Sequence, residues 1–178
     1  MRSLVIGDSV ESIGDNAFRA CHALSELSLG NNIKTIGDSA FLGCWSLKNI
    51  VIPDGVTSIG GGAFYTCHAL TGHLVIPDSV VDLPYVVDPM SYSYGGSWTF
   101  AHCDFTEVTI GRGLASIPGY VFANNTNLQR VTFLSRETIA YASSFESCPS
   151  TMVVRGYVGS TAETFATENG YTFEAIAE

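Results

Sequence analysis

The sequence predicts a repeat solenoid: about six coils of about 23 residues, stacked so that short strands form a parallel sheet on one face. Two observations lead there. Cys21, Cys44 and Cys67 are spaced 23 residues apart, and each closes the same phrase, A-F-x-x-C-x-x-L. Between these phrases run short apolar alternations such as Leu24, Leu27 and Leu29, each followed by a turn signal.

The units overlay directly. Residues 4–26 read LVIGDSVESIGDNAFRACHALSE and residues 27–49 read LSLGNNIKTIGDSAFLGCWSLKN. Residues 50–73 read IVIPDGVTSIGGGAFYTCHALTGH, with one extra residue at the end. A fourth unit, 74–107, starts as LVIPDSVVDLP, is interrupted by an insertion over 85–97, and resumes at Trp98 with Phe100 and Cys103. The fifth, 108–130, reads VTIGRGLASIPGYVFANNTNLQR. The sixth, 131–152, is degraded but keeps Phe145 and Cys148, and residues 153–178 form a C-terminal cap to the single domain.

Each repeated position has a physical role. The first strand of a coil carries Leu24-Leu27-Leu29, then Leu47-Ile50-Ile52, then Leu128-Val131-Phe133. Gly-Asp, Gly-Asn or Pro-Asp follows as a turn. A second extended piece carries Val10 and Ile13, or Val56 and Ile59. Gly14, Gly37 and Gly60 then stand where a Cβ would obstruct a backbone corner. Ala17, Ala40 and Ala63 leave room where backbones crowd, and Phe18, Phe41, Phe64, Phe100, Phe122 and Phe145 are expected to stack along the core. No coil can bury such a face alone; its neighbours supply the walls.

The series I-G-x-x-A-F-x-x-C-x-x-L-x-x-[IL]-x-[IL]-P resembles the BspA-like leucine-rich repeat proteins over essentially the whole chain. VVRGYVGSTAETFATENGYTF resembles their closing segment, which implies a strand-helix-strand cap. The residues agree. Ser160-Thr161-Ala162-Glu163 is a helix start with Ser160 as N-cap and Glu163 at N3, and Asn169-Gly170 is a stop. The N-terminus has no such cap: Leu4 already begins a regular coil, as expected of a chain that continues upstream or is part of something longer. The resemblance implies a secreted or cell-surface protein, associated with adhesion to host matrix proteins, other cells or surface glycans. No apolar segment typical of a signal peptide follows Met1-Arg2-Ser3.

Composition narrows the partners. Seventeen acidic and eight basic residues give a net charge of −9, and only 14% of residues are charged against 46% apolar. Two lysines and six scattered arginines do not make a phosphate-binding stripe, so nucleic acid is not an expected partner. No run approaches the ~18 apolar residues of a membrane span, so no membrane insertion is expected.

Chemistry is sought without result. Cys21, Cys44, Cys67, Cys103 and Cys148 occupy one repeated slot, filled by Asn125 in the fifth coil, which is the mark of a buried structural column rather than a nucleophile. His22, Trp45 and His68 form an outer row. Histidines two coils apart are ~10 Å apart by strand spacing, too far to share a metal. His73 and His102 have no evident partner. Asp8, Asp54 and Asp78 are turn residues first and calcium ligands second. With no G-x-S-x-G and no phosphate-binding glycine motif, no enzyme, metal site or cofactor is expected.

What remains is display. Alternation places Val5, Glu26 and Ser28, Asn49 and Val51, His73 and Val75, Glu107 and Thr109, and Arg130 and Thr132 on the outer face of the sheet. The insertion, YVVDPMSYSYGGS running into Trp98, is either a tolerated surface excursion or a contact loop rich in rigid aromatics. Candidate binding residues are therefore Tyr85, Tyr92, Tyr94 and Trp98, with Glu26, Asn49, His73, Glu107 and Arg130 on the sheet. With the resemblance, which implies adhesion, the expected function is a non-enzymatic recognition module that adheres to a host matrix or cell-surface protein or a glycan. The alternative is a structural spacer, or a fragment of a larger surface protein with no ligand of its own.

Overall fold

The computed structural model describes residues 1–84 and 96–178 of the chain. It is a stack of coils with one α-helix near the C-terminus. The strands are β1 (Ser3–Val5), β2 (Ser12–Ile13), β3 (Glu26–Ser28), β4 (Thr35–Ile36), β5 (Ser58–Ile59), β6 (Thr71–Ile76), β7 (Asp104–Ile110), β8 (Ser116–Ile117), β9 (Arg130–Phe133), β10 (Ile139–Ala140), β11 (Val153–Gly156) and β12 (Thr172–Ala175). Every pairing is parallel. One face carries β1-β3 and the five-stranded β6-β7-β9-β11-β12; the second extended piece of each coil builds β2-β4-β5 and β8-β10.

The third coil departs from expectation. Residues 49–52 keep the alternation, with Ile50 and Ile52 buried and Asn49 and Val51 exposed, but form no strand. The bonds at its leading edge are stretched: the Lys48 amide donates to Ser25 at 3.4 Å and the Thr71 amide to Lys48 at 3.3 Å. Burial, rather than a hydrogen-bonded ladder, holds this coil in register, and the face is divided there.

The core is the predicted aromatic column. Phe18, Phe41, Phe64, Phe100, Phe122 and Phe145 stack with centroids 5.3, 5.2, 5.4, 5.8 and 5.4 Å apart and planes within 14°. Phe41 to Phe145 are buried; Phe18, with a neighbour on one side only, is half-buried. Offset ring pairs at this separation add attraction beyond the area they remove from water.

The cysteine slot has a hydrogen-bonding reason. The thiols of Cys44, Cys67, Cys103 and Cys148 donate to the carbonyls of Phe18, Phe41, Phe64 and Phe122, one coil back, at 3.3, 3.3, 3.3 and 3.2 Å. Asn125 does the same for Phe100 at 2.9 Å. All five cysteines are free. Burial pushes the Cys44 thiol up to about 11 and Cys148 to about 12, and raises Cys67 and Cys103 as well. The ends of the column are less covered than expected: Cys21 and Cys148 are half-buried.

Glycine serves close approach between coils. A Cβ on Gly37 would lie 2.6 Å from the Asp15 amide, and one on Gly60 2.5 Å from the Asp38 amide, whereas Gly14, in the first coil, faces nothing within 4 Å. The turn aspartates fill a related need. Asp8 accepts from the Asn31 amide at 2.7 Å and Asp78 from the Arg112 amide at 2.7 Å, so each ties one coil to the next.

The cap is a helix, α1 (Thr161–Asn169), between β11 and β12. Ala162, Phe165 and Ala166 face inward, and Phe165 continues the column 5.7 Å from Phe145. Gly170 ends the helix in the left-handed conformation. The start differs in detail from the expected capping box. Ser160 is the N-cap residue but its hydroxyl makes no capping bond, and Glu163 accepts instead from the Gly159 amide at 2.6 Å.

Candidate recognition surfaces

The sheet face presents two outer files. Register aligns Ser3 with Glu26, and His73 with Glu107 and Arg130. The second file aligns Val5 with Ser28, and Val75 with Thr109 and Thr132. Four of the sequence-predicted residues (Glu26, His73, Glu107 and Arg130) thus stand on strands in the first file. Asn49 occupies the equivalent place in the third coil, outside any strand. The file is cross-linked: Arg130 donates to Glu107 at 2.8 Å, and His73 Nε2 lies 2.8 Å from the Thr109 hydroxyl. Val5 and Val51 are 73% and 80% exposed, so an aliphatic edge runs beside these polar groups.

The second surface lies in the loops between the second extended pieces and the core phenylalanines. Tyr85, Tyr92 and Tyr94 lie outside the described residues. Trp98 stacks on Tyr120 with centroids 4.5 Å apart and planes 5° from parallel. It also meets Tyr65 edge-on at 6.0 Å. Tyr65 meets His102 at 5.4 Å, and His102 meets His68 at 6.5 Å. Burial and the neighbouring His68 hold His102 below the usual histidine range. Sequence reasoning found no partner for His102 and passed over Tyr120. Their link with Trp98 crosses coils of unequal spacing, which one-dimensional alignment conceals.

The backbone under this cluster is unusual. Two slots recur at positive φ: one, two residues after the core phenylalanine, holds Ala20, Gly43, Thr66, His102, Asn124 and Ser147, and the other, two residues before it, holds Asn16, Ser39 and Gly62, then Trp98 and Tyr120 at 53° and 65°. Left-handed backbone costs a residue with a Cβ on the order of 1–2 kcal/mol, and bulky side chains seldom occupy it. The coil that carries the insertion and the coil after it place large aromatics in the second slot, half-buried and stacked in parallel. The Trp98 indole N–H is buried and has no acceptor among the described residues.

The root of the insertion belongs to the stack. Ser97 is fully buried, its amide donates to Gly119 at 3.0 Å, and its carbonyl accepts from the Gly62 amide at 2.7 Å. The outer row of the early coils also forms: His22 stacks on Trp45 at 3.9 Å. Among the described residues, no three His, Cys, Asp or Glu side chains gather as metal ligands, and no helix is long and apolar enough to cross a membrane.

A sequence profile for the BspA type leucine rich repeat region matches residues 1–85 and 79–156, in 6 copies. The chain belongs to the BspA-type leucine-rich repeat family. A search of curated proteins gave no match. Among solved structures, this BspA-type chain is similar to the pneumococcal vaccine antigen PcpA over 100% of its own length and 42% of that chain, at 18% identity and a TM-score of 0.76. It is similar to a leucine-rich repeat protein from Bacteroides ovatus over 88% of this chain and 43% of that one, at 27% identity and a TM-score of 0.64. A third likeness, to the T. pallidum leucine-rich repeat protein TpLRR, has 22% identity over 99% of this chain and 74% of that chain, with a TM-score of 0.50. The BspA-type chain therefore spans less than half the length of PcpA and of the Bacteroides protein.

Proposed function

We propose that the protein is a non-enzymatic recognition module of a secreted or cell-surface protein, adhering to a matrix or cell-surface protein or a glycan. The observation that carries this reading is the Trp98–Tyr120 pair, displayed from backbone that aromatic residues rarely adopt. A strained conformation is retained where the surroundings or the function require it. Two parallel, stacked, half-buried rings offer an aromatic surface for the apolar face of a sugar or for an aromatic or aliphatic side chain, and the adjacent insertion brings further tyrosines in sequence. The cross-linked sheet face is the second expected contact surface. Family membership supports the module, and the likeness to a pneumococcal antigen supports a surface location.

The test is a surface-biosensor panel of matrix proteins and glycans, run with the intact protein, a Trp98→Ala variant, and a variant with residues 85–95 replaced by a short Gly-Ser linker. Ser97 is kept in that replacement because it belongs to the core ladder. Binding by the intact protein that falls at least about tenfold in both variants is the expected result. A panel on which the intact protein captures nothing would favour the spacer reading. Binding retained by both variants but lost in Val51→Glu would move the site to the sheet.

A further inference from the structure

The turn after the first strand of each coil changes sign along the solenoid. Its repeated residue is Asp8, Asn31, Asp54 and Asp78 in the first four coils, then Arg112 in the fifth, and the sixth brings Arg136 to the same edge. In a chain of net charge −9 with eight basic residues, two guanidiniums stand beside one cleft of roughly 480 Å³, lined also by Ser135, Glu137, Tyr157 and Glu178. Tyr157 lies between them. The Arg136 guanidinium sits 4.6 Å over its ring, and Arg112 lines the same cleft.

Both arginines are held by carboxylates that a ligand can replace. Arg112 pairs with Asp78 at 3.1 Å, with side chains 58% and 55% exposed. Arg136 pairs with Glu178, whose side chain is 85% exposed, and its other terminal nitrogen donates to the Val158 carbonyl at 3.0 Å. Exposed pairs of this kind contribute little to stability. Glu178 thus models an incoming carboxylate on a fork already oriented by Tyr157 and the Val158 carbonyl.

We propose that this cleft is a second binding site, separate from the Trp98 cluster, for a carboxylate-bearing sugar such as a uronic or sialic acid. The ligand carboxylate displaces Glu178 from Arg136, Arg112 steers it and donates to a ring substituent, and Ser135 and Tyr157 supply hydroxyl partners. A sugar acid suits the site better than an acidic peptide: the cleft holds one or two rings and is lined mainly by side chains with polar tips.

The experiment is isothermal titration of the full chain with a glucuronate-containing tetrasaccharide and with N-acetylneuraminic acid. Their methyl esters, inorganic phosphate and a tetraglutamate peptide serve as comparisons. The expected result is saturable binding of an acid form, at least about tenfold weaker as the ester, at least about tenfold weaker in Arg112→Ala/Arg136→Ala, and tighter in Glu178→Gln, where the internal competitor is gone. Arg136→Lys, which keeps charge but loses the fork, should also weaken it. No binding of either acid up to about 10 mM would overturn the proposal. So would equal binding of acid and ester, tighter binding of phosphate or tetraglutamate, or full affinity in the folded double arginine variant.

Discussion

Asn125 tests the hydrogen-bonding account of the cysteine column. It is fully buried, donates to the Phe100 carbonyl at 2.9 Å and to the Phe122 carbonyl at 2.8 Å, and accepts from the Phe105 amide at 3.4 Å. Asn125→Ala removes the Asn125 donor to Phe100 and the acceptor for Phe105, while Phe122 keeps the Cys148 thiol. A buried polar group left without its partner costs about 1–3 kcal/mol, and the lost packing adds to this. The Phe105 bond is long and adds little, so the expected loss is about 2–4 kcal/mol. Asn125→Cys restores the residue that other coils use. Its thiol reaches the Phe100 carbonyl as Cys103 reaches Phe64, and the loss should stay near 1 kcal/mol. Urea denaturation followed by far-ultraviolet circular dichroism gives both numbers from midpoints at constant slope. If the two variants are equally unstable, the repeated residue is retained for volume alone. An alanine variant within about 0.5 kcal/mol of the parent would show that the carbonyl needs no donor.

Two other predictions come from position in the stack. Phe41→Ala should cost about 3–5 kcal/mol, while the same truncation at half-buried Phe18 should cost about 1–2; equal losses in urea denaturation would deny that neighbouring coils supply the burial. Thiol labelling of the native protein at pH 8 should modify Cys21 alone at an appreciable rate. Cys44 and Cys148 have thiols raised to about 11 and about 12, so at pH 8 their reactive thiolates are scarce, and burial works further against Cys67 and Cys103. Rapid modification of a second cysteine, located by peptide mapping, would contradict the column.

What the sequence makes legible is what the fold repeats. The phenylalanine column, the shared cysteine slot and the glycine approach each recur at one spacing, so a constraint invisible at one position becomes plain when several coils obey it. The exchange at Asn125 is visible in the repeat, but the reason for it is not: only the structure shows that the slot needs a donor, which the amide supplies. Local helix chemistry was legible for the same kind of reason: Asn169-Gly170 marks a stop whatever surrounds it, and Gly170 takes the left-handed conformation. The missing strand at 49–52 was not legible, since its alternation is intact and only the spacing of hydrogen bonds between coils is altered.

The recognition surfaces obey the opposite rule. A binding site is where a repeat stops repeating, so it offers one instance and no period to read. Trp98 was found because an insertion announces it. Tyr120 was passed over because its coil looks regular, although it fills with an aromatic ring the left-handed slot held by Asn16, Ser39 and Gly62 elsewhere. Arg112 and Arg136 were passed over because two arginines among eight scattered basic residues signify nothing until stacking brings the turns of successive coils to one edge. In a solenoid, then, the residues to examine for function are those that keep the backbone of their slot while breaking its side-chain chemistry. The scaffold tolerates such exchanges because each coil rests only on its neighbours, and the cost of Trp98 at positive φ stays local rather than propagating through the stack.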